Sequence, residues 1–465
     1  MSAAAPRARR LPVVLRNPAF GRVWAGQLLT QMAGRMVQVG AVWWLVGFAG
    51  GGHRGLSSGL FLTVSTLPAV ALAPVVARVV ARRPHRSVLA GSAGAAGLVA
   101  AVTAAWAGAA ALPVAVVFAA GPALATCQAL FDPCLTTSVP ELVDDADIEA
   151  ATGFELSTQS VAGLAGGLLG PLVVDAAGLA GVVAGCAGAY LLAALLIATA
   201  RFPLGAPATA PAGTHGPEHP SDAQAPEHAV PAGGPAEGAA ARPRPLRRVL
   251  AGLPFVRRVL VCFTAANLFT TAVYVVMPLY TRGVLHSTGS TVASLEAALG
   301  VGALLGAVTG GRLPGRPTVL GGTCLAAMAV ALGLPGLVAG HAVAAGALVV
   351  AGWCVGVIGV RFVALFQRTV PAADRPAFFA VMQALLGATF PVSSLLFGAL
   401  GDHVTARTLC LVQGAGLVPV ALALWWLGRR GQDGAPRETA PAVLPRDPAA
   451  APAEDAPAVP AGGVS

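Results

Sequence analysis

Twelve runs of about twenty mostly apolar residues limit what this 465-residue chain can fold into. As an α-helix, a run of that length crosses the ~30 Å hydrocarbon core of a bilayer. The runs lie at 20–47, 57–80, 87–110, 113–137, 151–174 and 179–200, and then at 257–281, 291–311, 318–338, 343–366, 377–399 and 407–428. The sequence therefore predicts an all-α integral membrane protein with 12 transmembrane helices.

The composition excludes a soluble protein of this length. Hydrophobic residues make up 56% of the chain and charged residues only 11%, against about 25% charged in soluble domains. The net charge of +9 comes from 29 basic residues, all arginine, against 20 acidic ones. In membrane proteins the placement of basic residues reports topology, so this excess does not indicate nucleic-acid binding.

The arginines fall on one side of the predicted membrane. They concentrate in the N-terminal flank 1–19, the connection after the second helix, the segment between the two groups of helices, and the tail. Only Arg54, Arg282 and Arg407 would lie on the other side. The positive-inside rule therefore predicts a multi-pass protein of the cell (plasma) membrane with both termini cytoplasmic.

Two segments lack any hydrophobic period. Residues 203–245 and 431–465 are rich in Pro, Ala and Gly, a composition that cannot offset the entropy cost of ordering. The first predicts a disordered cytosolic linker between an N-terminal six-helix bundle at 20–202 and a C-terminal six-helix bundle at 246–430. The second predicts a disordered cytosolic tail.

The two halves resemble each other in sequence. ALFDPCLTTSVPELVD at 129–144 aligns with ALFQRTVPAAD at 364–374, and LLGPLVVD ends at Asp175 as LFGALGD ends at Asp402. In both halves a fourth helix leads into a polar loop after Val-Pro, and a fifth helix then closes on an Asp. We interpret this as a duplicated six-helix unit, an arrangement common in secondary transporters. The alternative is chance similarity among helices rich in Ala, Gly and Leu.

Five segments carry a family resemblance. They are NPAFGRVWAGQLLTQMAGRMVQVGAVWWLV (17–46), LFDPCLTTSVPELV (130–143), PFVRRVLVCFTAANLFTTAVYVVMPLY (254–280), LGVGALLGAVTGGRL (299–313) and FQRTVPAADRPAFFAVMQALLGATFPVSSLLFGALGD (366–402). In this order they resemble the major facilitator superfamily, and within it the drug-efflux branch that includes macrolide and enterobactin exporters. The resemblance implies the major facilitator fold, with two pseudo-symmetric six-helix bundles and alternating access to a central cavity. It also implies a secondary active transporter that exports a small amphipathic or hydrophobic compound (a drug, antibiotic or siderophore-like natural product) by proton antiport.

The chain departs from the family pattern at positions that affect gating. Gly34 stands where an Asp usually precedes Arg35, and Arg82 replaces the Asp of the cytoplasmic latch after the second helix. Arg83 and Arg86 of that connection match the family, and the resemblance implies a gating role for them. Without the Asp, the latch itself is in doubt.

The fifth predicted helix keeps half of an antiporter-like signature, Gly-x-x-x-Gly-Pro-x-x-Gly-Gly. Gly170 and Pro171 match it, whereas Val174 and Asp175 replace its final glycines. The resemblance implies that the retained half bends the helix, so Gly170 and Pro171 are also predicted gating residues.

Arg35 is the first candidate for chemistry, because a charge at membrane depth costs about 2.5–3.5 kcal/mol on insertion scales. It lies near the middle of the first predicted helix, and Gln27, Gln31 and Gln38 share its face at helical spacing. This polar stripe either lines a cavity and binds substrate, or forms a structural ion pair and hydrogen bonds to neighbouring carbonyls.

Asp132 is the first candidate for proton coupling, with Gln128 one turn before it in the fourth predicted helix. In the implied fold the first and fourth helices line one cavity, so Asp132 is the expected partner of Arg35. Burial and a cationic neighbour act on a carboxylate in opposite directions, and a group balanced between them can load and release a proton. The alternative is an interfacial Asp already solvated by the cytosol. Glu155 is a further proton-coupling candidate, or an acid that stabilises the start of the fifth helix.

In the C-terminal half, Glu296 is the second proton-coupling candidate, with no evident basic neighbour at its own depth. The alternative is a charge in an outer vestibule. Arg361 either binds substrate or extends to the cytosolic headgroups. The remaining substrate-binding candidates are Asn267, Thr271, Tyr274 and Trp353.

Other kinds of site find no support in the sequence. Without a lysine there is no Walker motif, which excludes direct ATP-driven transport by this chain. We expect no metal, no cofactor and no enzymatic activity. The expected partners of this monomer are a small-molecule substrate, protons and membrane lipids. The alternatives are an importer or facilitator of a small metabolite, and a transport-dead membrane scaffold or sensor.

Overall fold

The computed structural model describes residues 13–47, 53–144, 147–202, 254–371 and 374–429. After a short helix, Val13–Arg16, this part of the chain forms twelve spans, which we label α1 to α12. They are α1 (Pro18–Gly47), α2 (Arg54–Ala71 with Ala73–Arg82), α3 (His85–Ala109), α4 (Val114–Leu142), α5 and α6 together (Ile148–Thr199), α7 (Pro254–Thr270 with Val273–Gly283), α8 (Gly289–Gly310), α9 (Pro317–Leu337), α10 (His341–Thr369), α11 (Arg375–Gly401) and α12 (Ala406–Arg429).

Length and apolar composition support the twelve spans. Nine helices among the described residues are long and apolar enough to cross a membrane, and ten are when a bent pair is counted as one span. One of these, Ile148–Thr199, has 52 residues and would be about 78 Å long, more than twice a bilayer core. It turns at Gly178, whose φ of 68° favours glycine, and so forms two spans. Pro18–Gly47 is not among the helices that pass on apolar composition, and its 30 residues, about 45 Å, complete the twelve by length. The predicted all-α fold is confirmed.

Two of the spans are interrupted where prolines or turns intervene. The two parts of α2 meet at an angle of 49° around Leu72, between Pro68 inside the first part and Pro74 at the start of the second. Proline removes a backbone donor and crowds the preceding turn, which accounts for the bend. The span α7 is interrupted by a turn between Thr270 and Val273. Both spans line the cavity described below.

Glycines of α5 bring it into close contact with α1. A Cβ on Gly170 would lie 2.7 Å from the Met36 carbonyl oxygen, and one on Gly166 would lie 2.9 Å from the Cβ of Arg35. The helix continues through Gly170 and Pro171, and Gly178 is its only residue with non-helical dihedrals. The bend expected at the Gly170-Pro171 pair stays a prediction. Gly170 allows close packing of α5 on α1, next to Arg35.

Gly170→Leu is expected to destabilise the protein by about 1–3 kcal/mol, the usual cost of overpacking a tight contact. The side chain would have to displace the backbone of α1 at Met36 and Gly40. Gly185→Leu in α6 is the matched control, because a Cβ there meets nothing within 4 Å. Thermal unfolding in detergent compares the two variants. Equal stability of both would contradict the packing role.

The two halves pack together through α2 against α11 and α5 against α8. On the first side, the Gly55 amide donates to the Asp402 carboxylate at 2.7 Å, and the Thr63 hydroxyl donates to the Pro391 carbonyl at 2.9 Å. Beyond Thr63, residues of α2 line a cavity with Phe390 of α11. The contact between α2 and α11 thus covers one end of these helices.

The contact between α5 and α8 begins at the same end of the bundle. A Cβ on Gly289, at the start of α8, would collide with the Pro171 carbonyl oxygen. One on Gly167 would lie 3.4 Å from Oε2 of Glu296. We call this the sealed end, where α1 finishes at Gly47. We call the opposite end, where α12 finishes at Arg429, the open end, because the hydrogen bonds that join the halves at Gly55, Leu56, Thr63 and Gly289 lie on the sealed side.

The predicted linker at 203–245, the predicted tail at 431–465 and residues 1–12 lie outside the described residues. Their predicted disorder is therefore still an expectation.

Deletion of residues 210–240 is expected to leave transport unchanged, because the composition of this segment offers nothing to offset its ordering entropy. The measurement is transport activity at matched membrane abundance. Loss of activity with normal abundance would mean that the segment has a binding partner or a regulatory contact.

Candidate functional site

A cavity with two adjoining lobes lies between the halves. The first lobe, about 670 Å³, is lined mainly by α1, α2 and α4, with residues of α5, α6, α7 and α11. The second, about 630 Å³, is lined mainly by α5, α7 and α8, with residues of α1 and α10. Arg35 and Tyr274 line both lobes. Predicted residues in the walls are Gln31, Gln38, Gln128, Asp132, Asn267, Thr271 and Glu296. Most of the remaining lining is apolar or aromatic.

Arg35 joins the two halves at the centre of this cavity. Its Nη2 lies 3.3 Å from Oε2 of Glu296, and each side chain is about one-fifth exposed. Its Nη1 donates to Oε1 of Gln38 at 2.8 Å. The guanidinium carbon lies 4.8 Å from the centroid of the Tyr274 ring, a cation–π contact. A charge placed at membrane depth is thus neutralised and hydrogen-bonded.

The expected partner of Arg35 was wrong. The sequence predicted an ion pair with Asp132 and no basic neighbour for Glu296. Instead, α8 packs against α5 at Gly167, which brings the Glu296 carboxylate to the face of α1 that carries Arg35. Arg35 and Asp132 nevertheless both line the first lobe.

Asp132 is held by two amides. Gln128 donates to its Oδ1 at 2.6 Å and Gln31 donates to the same oxygen at 3.2 Å. Among the described residues no arginine or histidine forms an ion pair with Asp132. The helix α4 continues to Leu142, ten residues or about 15 Å beyond Asp132, rather than ending near residue 137. Asp132 therefore lies well within α4, and it lines the first lobe of the cavity.

Gly34 lies beside the polar groups around Asp132. A Cβ on Gly34 would lie 3.4 Å from the Tyr190 hydroxyl and 3.8 Å from Oε1 of Gln128. An acid on α1 at this position would therefore share the polar patch that Asp132 occupies from α4.

Glu155 is inside the N-terminal half rather than at a helix start. It lies two turns into α5, is 4% exposed, and accepts a hydrogen bond from the Thr136 hydroxyl at 2.6 Å. Its Oε2 is buried and has no hydrogen-bond partner among the described residues. The Gln27 amide donates to its backbone carbonyl at 3.0 Å. Thr136 is one turn from Asp132, so the two acids face the same stretch of α4.

The polar residues of α7 connect it to α11. The Asn267 amide donates to the Leu386 carbonyl at 2.9 Å and to the Thr389 hydroxyl. The Thr271 hydroxyl donates to the Asn267 carbonyl at 2.7 Å, at the break in α7. Both residues therefore have structural hydrogen bonds in addition to their place in the cavity wall.

Gln27, a third predicted cavity residue, is buried against Glu155 in α5 and lines neither lobe. Two other predicted cavity residues also lie elsewhere. The Trp353 indole donates to the Thr309 hydroxyl at 2.9 Å, because this part of α10 packs on the glycine-rich face of α8. Arg361 donates to the Gly315 carbonyl at 2.6 Å, near the connection between α8 and α9 at the open end. Neither residue is among those that line the two lobes. Arg361 matches the alternative of a side chain that extends towards the membrane surface.

The predicted gating arginines are at the open end of the N-terminal half. Arg86 donates to the Ala198 carbonyl, which joins α3 to α6 within that half. Arg83 is exposed just after α2 ends. In this arrangement the described contacts of Arg86 are not with the C-terminal half.

The cavity also contains residues that the sequence did not single out. Tyr190, Phe61 and Phe390 line the first lobe. A lone aromatic residue within an apolar run has no periodic signal that separates a cavity residue from a core residue.

Comparisons with known proteins agree with this architecture. The model of the Major Facilitator Superfamily matches residues 23–343. No curated protein is significantly similar to the chain in sequence. Among solved structures, an inward-facing, unoccupied bacterial homologue of the human lysosomal transporter Spinster has a TM-score of 0.65 and 12% identity, over 90% of this chain and 99% of that one.

Two further solved structures share the fold. The nucleoside transporter NupG has a TM-score of 0.60 and 12% identity, over 88% of this chain and 100% of that one. An autoinhibited peptide transporter of the POT family has a TM-score of 0.61 and 14% identity, over 89% of this chain and 97% of that one. Together with the family match over most of the sequence and the twelve spans around a central cavity, they lead to one conclusion: this chain is a multi-pass membrane protein that belongs to the Major Facilitator Superfamily of transporters.

Proposed function

We propose that this transporter exports a small amphipathic or hydrophobic compound in exchange for protons. The observation that carries the proposal is Asp132, a carboxylate in the cavity wall with amide donors and no cationic partner among the described residues. Amide donors stabilise the charged form, and apolar surroundings favour the neutral form. Because no arginine among the described residues pairs with Asp132, a change in water access can shift the balance between its charged and neutral forms.

The charges of the cavity narrow the substrate class. Glu296 neutralises Arg35, so Asp132 contributes the remaining negative charge of the lining. Most other lining groups are apolar or aromatic, with amides as polar contacts, a lining suited to an amphipathic compound. A neutral or cationic compound is therefore favoured over an anionic one. A cationic substrate would also compete with the proton for Asp132, which would couple export to proton entry.

The proposed orientation follows from the arginines. The positive-inside rule assigns the open end to the cytosol, with both termini cytoplasmic in the plasma membrane. In that orientation the cavity is accessible from the cytosol, where an exported compound would bind. Protons that enter down an inward gradient then drive the compound outwards. The transporter would act as a monomer, since one chain contains the whole cavity.

Expression in a bacterial host that lacks its own drug pumps tests the export proposal. Exposure to a panel of neutral, cationic and anionic toxic compounds should give increased tolerance to some neutral or cationic members. A protonophore should abolish that tolerance. Cells with an empty vector provide the baseline.

The alternatives predict different results in the same assay. An importer or facilitator would increase sensitivity to the compounds that it carries. A transport-dead scaffold or sensor would change neither tolerance nor accumulation, despite normal abundance in the membrane. Either result would contradict export.

A further inference from the structure

At the sealed end, Asp175 connects the two halves. It follows the Gly170-Pro171 segment of α5, and its Oδ1 accepts a hydrogen bond from the Trp43 indole at 2.7 Å. Its Oδ2 accepts one from the backbone amide of Gly289, the first residue of α8. The carboxylate of the N-terminal half thus binds the start of a helix of the C-terminal half.

Asp402 makes the corresponding contact in the reverse direction. It follows α11 directly, and it accepts hydrogen bonds from the backbone amides of Gly55 at 2.7 Å and Leu56 at 3.1 Å. These are residues of the first turn of α2. Nδ1 of His53 lies 3.5 Å from Oδ2, and the Asp402 side chain is only 7% exposed. Here the carboxylate of the C-terminal half binds the start of a helix of the N-terminal half.

The two contacts are related by the internal repeat. Each Asp ends the repeated segment of the fifth helix of its half, and each meets the second helix of the opposite half. Those helices have no cap of their own, because neither N-cap residue, His53 for α2 or Thr288 for α8, makes a side-chain capping hydrogen bond. The first backbone amides of a helix lack partners within it and attract negative charge. The missing cap is supplied across the interface.

Close packing makes these caps depend on the sealed arrangement. A Cβ on Gly55 would lie 3.1 Å from Oδ1 of Asp402, and one on Gly289 would lie 2.9 Å from Oδ2 of Asp175. On Gly398, a Cβ would lie 2.9 Å from the Cα of Gly59. The caps can therefore form only while the backbones of the two halves are in contact at this end.

We propose that Asp175 and Asp402 are reciprocal helix caps that hold the sealed end closed, and that both must break for this end to open. Their combined strength then sets the equilibrium between the two access states. An N-cap lost from a helix shifts such an equilibrium by about fivefold. Two distant caps should act independently, so loss of both should shift it by roughly 25-fold.

Two cysteine reporters test the proposal on the full-length protein in nanodiscs, without any substrate. Ser58→Cys reports on the α2–α11 side, where Ser58 is 0% exposed, and Val292→Cys reports on the α5–α8 side, where Val292 is 2% exposed. The measurement is the rate at which a water-soluble maleimide labels each reporter. The labelling rate of the protein without a reporter cysteine is subtracted from it. Since no transport is measured, failure of the proposed export function would not affect the result.

The decisive measurement is made on the side opposite to each substitution. Asp402→Ala should increase labelling of Val292→Cys about fivefold, and Asp175→Ala should do the same for Ser58→Cys. Asp402→Asn and Asp175→Asn, which keep an acceptor oxygen, should have smaller effects. Asp147→Ala is the matched control, because Asp147 pairs with Arg16 at 2.7 Å within the N-terminal half, and it should change neither rate.

Increased labelling only beside the substituted residue would show local loosening and would overturn the proposal. Unchanged labelling at both reporters would also overturn it. If an Ala variant does not fold, the Asn variant of the same residue decides, by the same comparison of near and far reporters. Gly59→Leu, which would force α2 from α11 at Ser394, should increase both rates in the same way as loss of a cap.

Discussion

Asp132→Asn should abolish proton-driven transport and leave substrate binding largely intact. Asparagine keeps the shape of the side chain and can still bond with Gln31 and Gln128, but it cannot release a proton at working pH. The measurement is efflux from proteoliposomes with and without an imposed pH gradient. We expect the variant to transport equally slowly in both conditions, at the gradient-free rate of the wild type.

Glu296→Gln is the control that distinguishes the two halves. The sequence favoured Asp132 over Glu296 because it assigned Arg35 to Asp132, and the structure reverses that pairing. Asp132 is still expected to matter more, now because it has no cationic partner among the described residues, whereas Glu296 is paired with Arg35. Unchanged gradient-driven efflux in both variants would contradict a carboxylate mechanism through either residue. The remaining explanations would be proton coupling through Glu155, coupling to another ion, or uncoupled facilitation.

The second large effect is expected at the Arg35–Glu296 ion pair. Arg35→Gln leaves the carboxylate of Glu296 without its cation, and Glu296→Gln leaves the guanidinium of Arg35 without its anion. Removal of one partner from a buried pair costs about 3–5 kcal/mol. Because each side chain is about one-fifth exposed, we expect about 3 kcal/mol for each single variant. Unfolding in detergent measures this loss of stability.

The double variant Arg35→Gln/Glu296→Gln decides whether the two residues act as a pair. It leaves no unpaired charge, so it should be less destabilised than either single variant. Strict additivity of the two single effects would mean that the ion pair has no energetic role. Tyr274→Leu is a separate control for the cation–π contact, and its effect should be smaller, about 1 kcal/mol.

The spans could be predicted because they depend on local sequence. An apolar run long enough for a bilayer must form a helix there, since only internal hydrogen bonds satisfy its backbone. The boundary between the fifth and sixth runs, at 174–179, agrees with the turn at Gly178. The end of α4 was predicted too early, since the polar segment after residue 137 continues as helix to Leu142.

The members of the cavity were partly predictable. Helical spacing placed Gln27, Gln31, Arg35 and Gln38 on one face. The last three line the first lobe, whereas Gln27 is buried against Glu155. Trp353 and Arg361 were assigned by residue type alone, and their positions in the folded chain do not support that assignment.

The sequence by itself determined the class of protein, its twelve helices, its repeated halves and the polar face of α1, because each depends on residues close together in the chain. Only the tertiary structure decided that Arg35 pairs with Glu296, 261 residues away, and that Asp132 has amide partners instead. It also decided that Asp175 and Asp402 cap helices of the opposite half. The physical reason is that these partners meet only where glycines let backbones of different helices approach closely, and the helical period of one segment does not specify which segment it will contact.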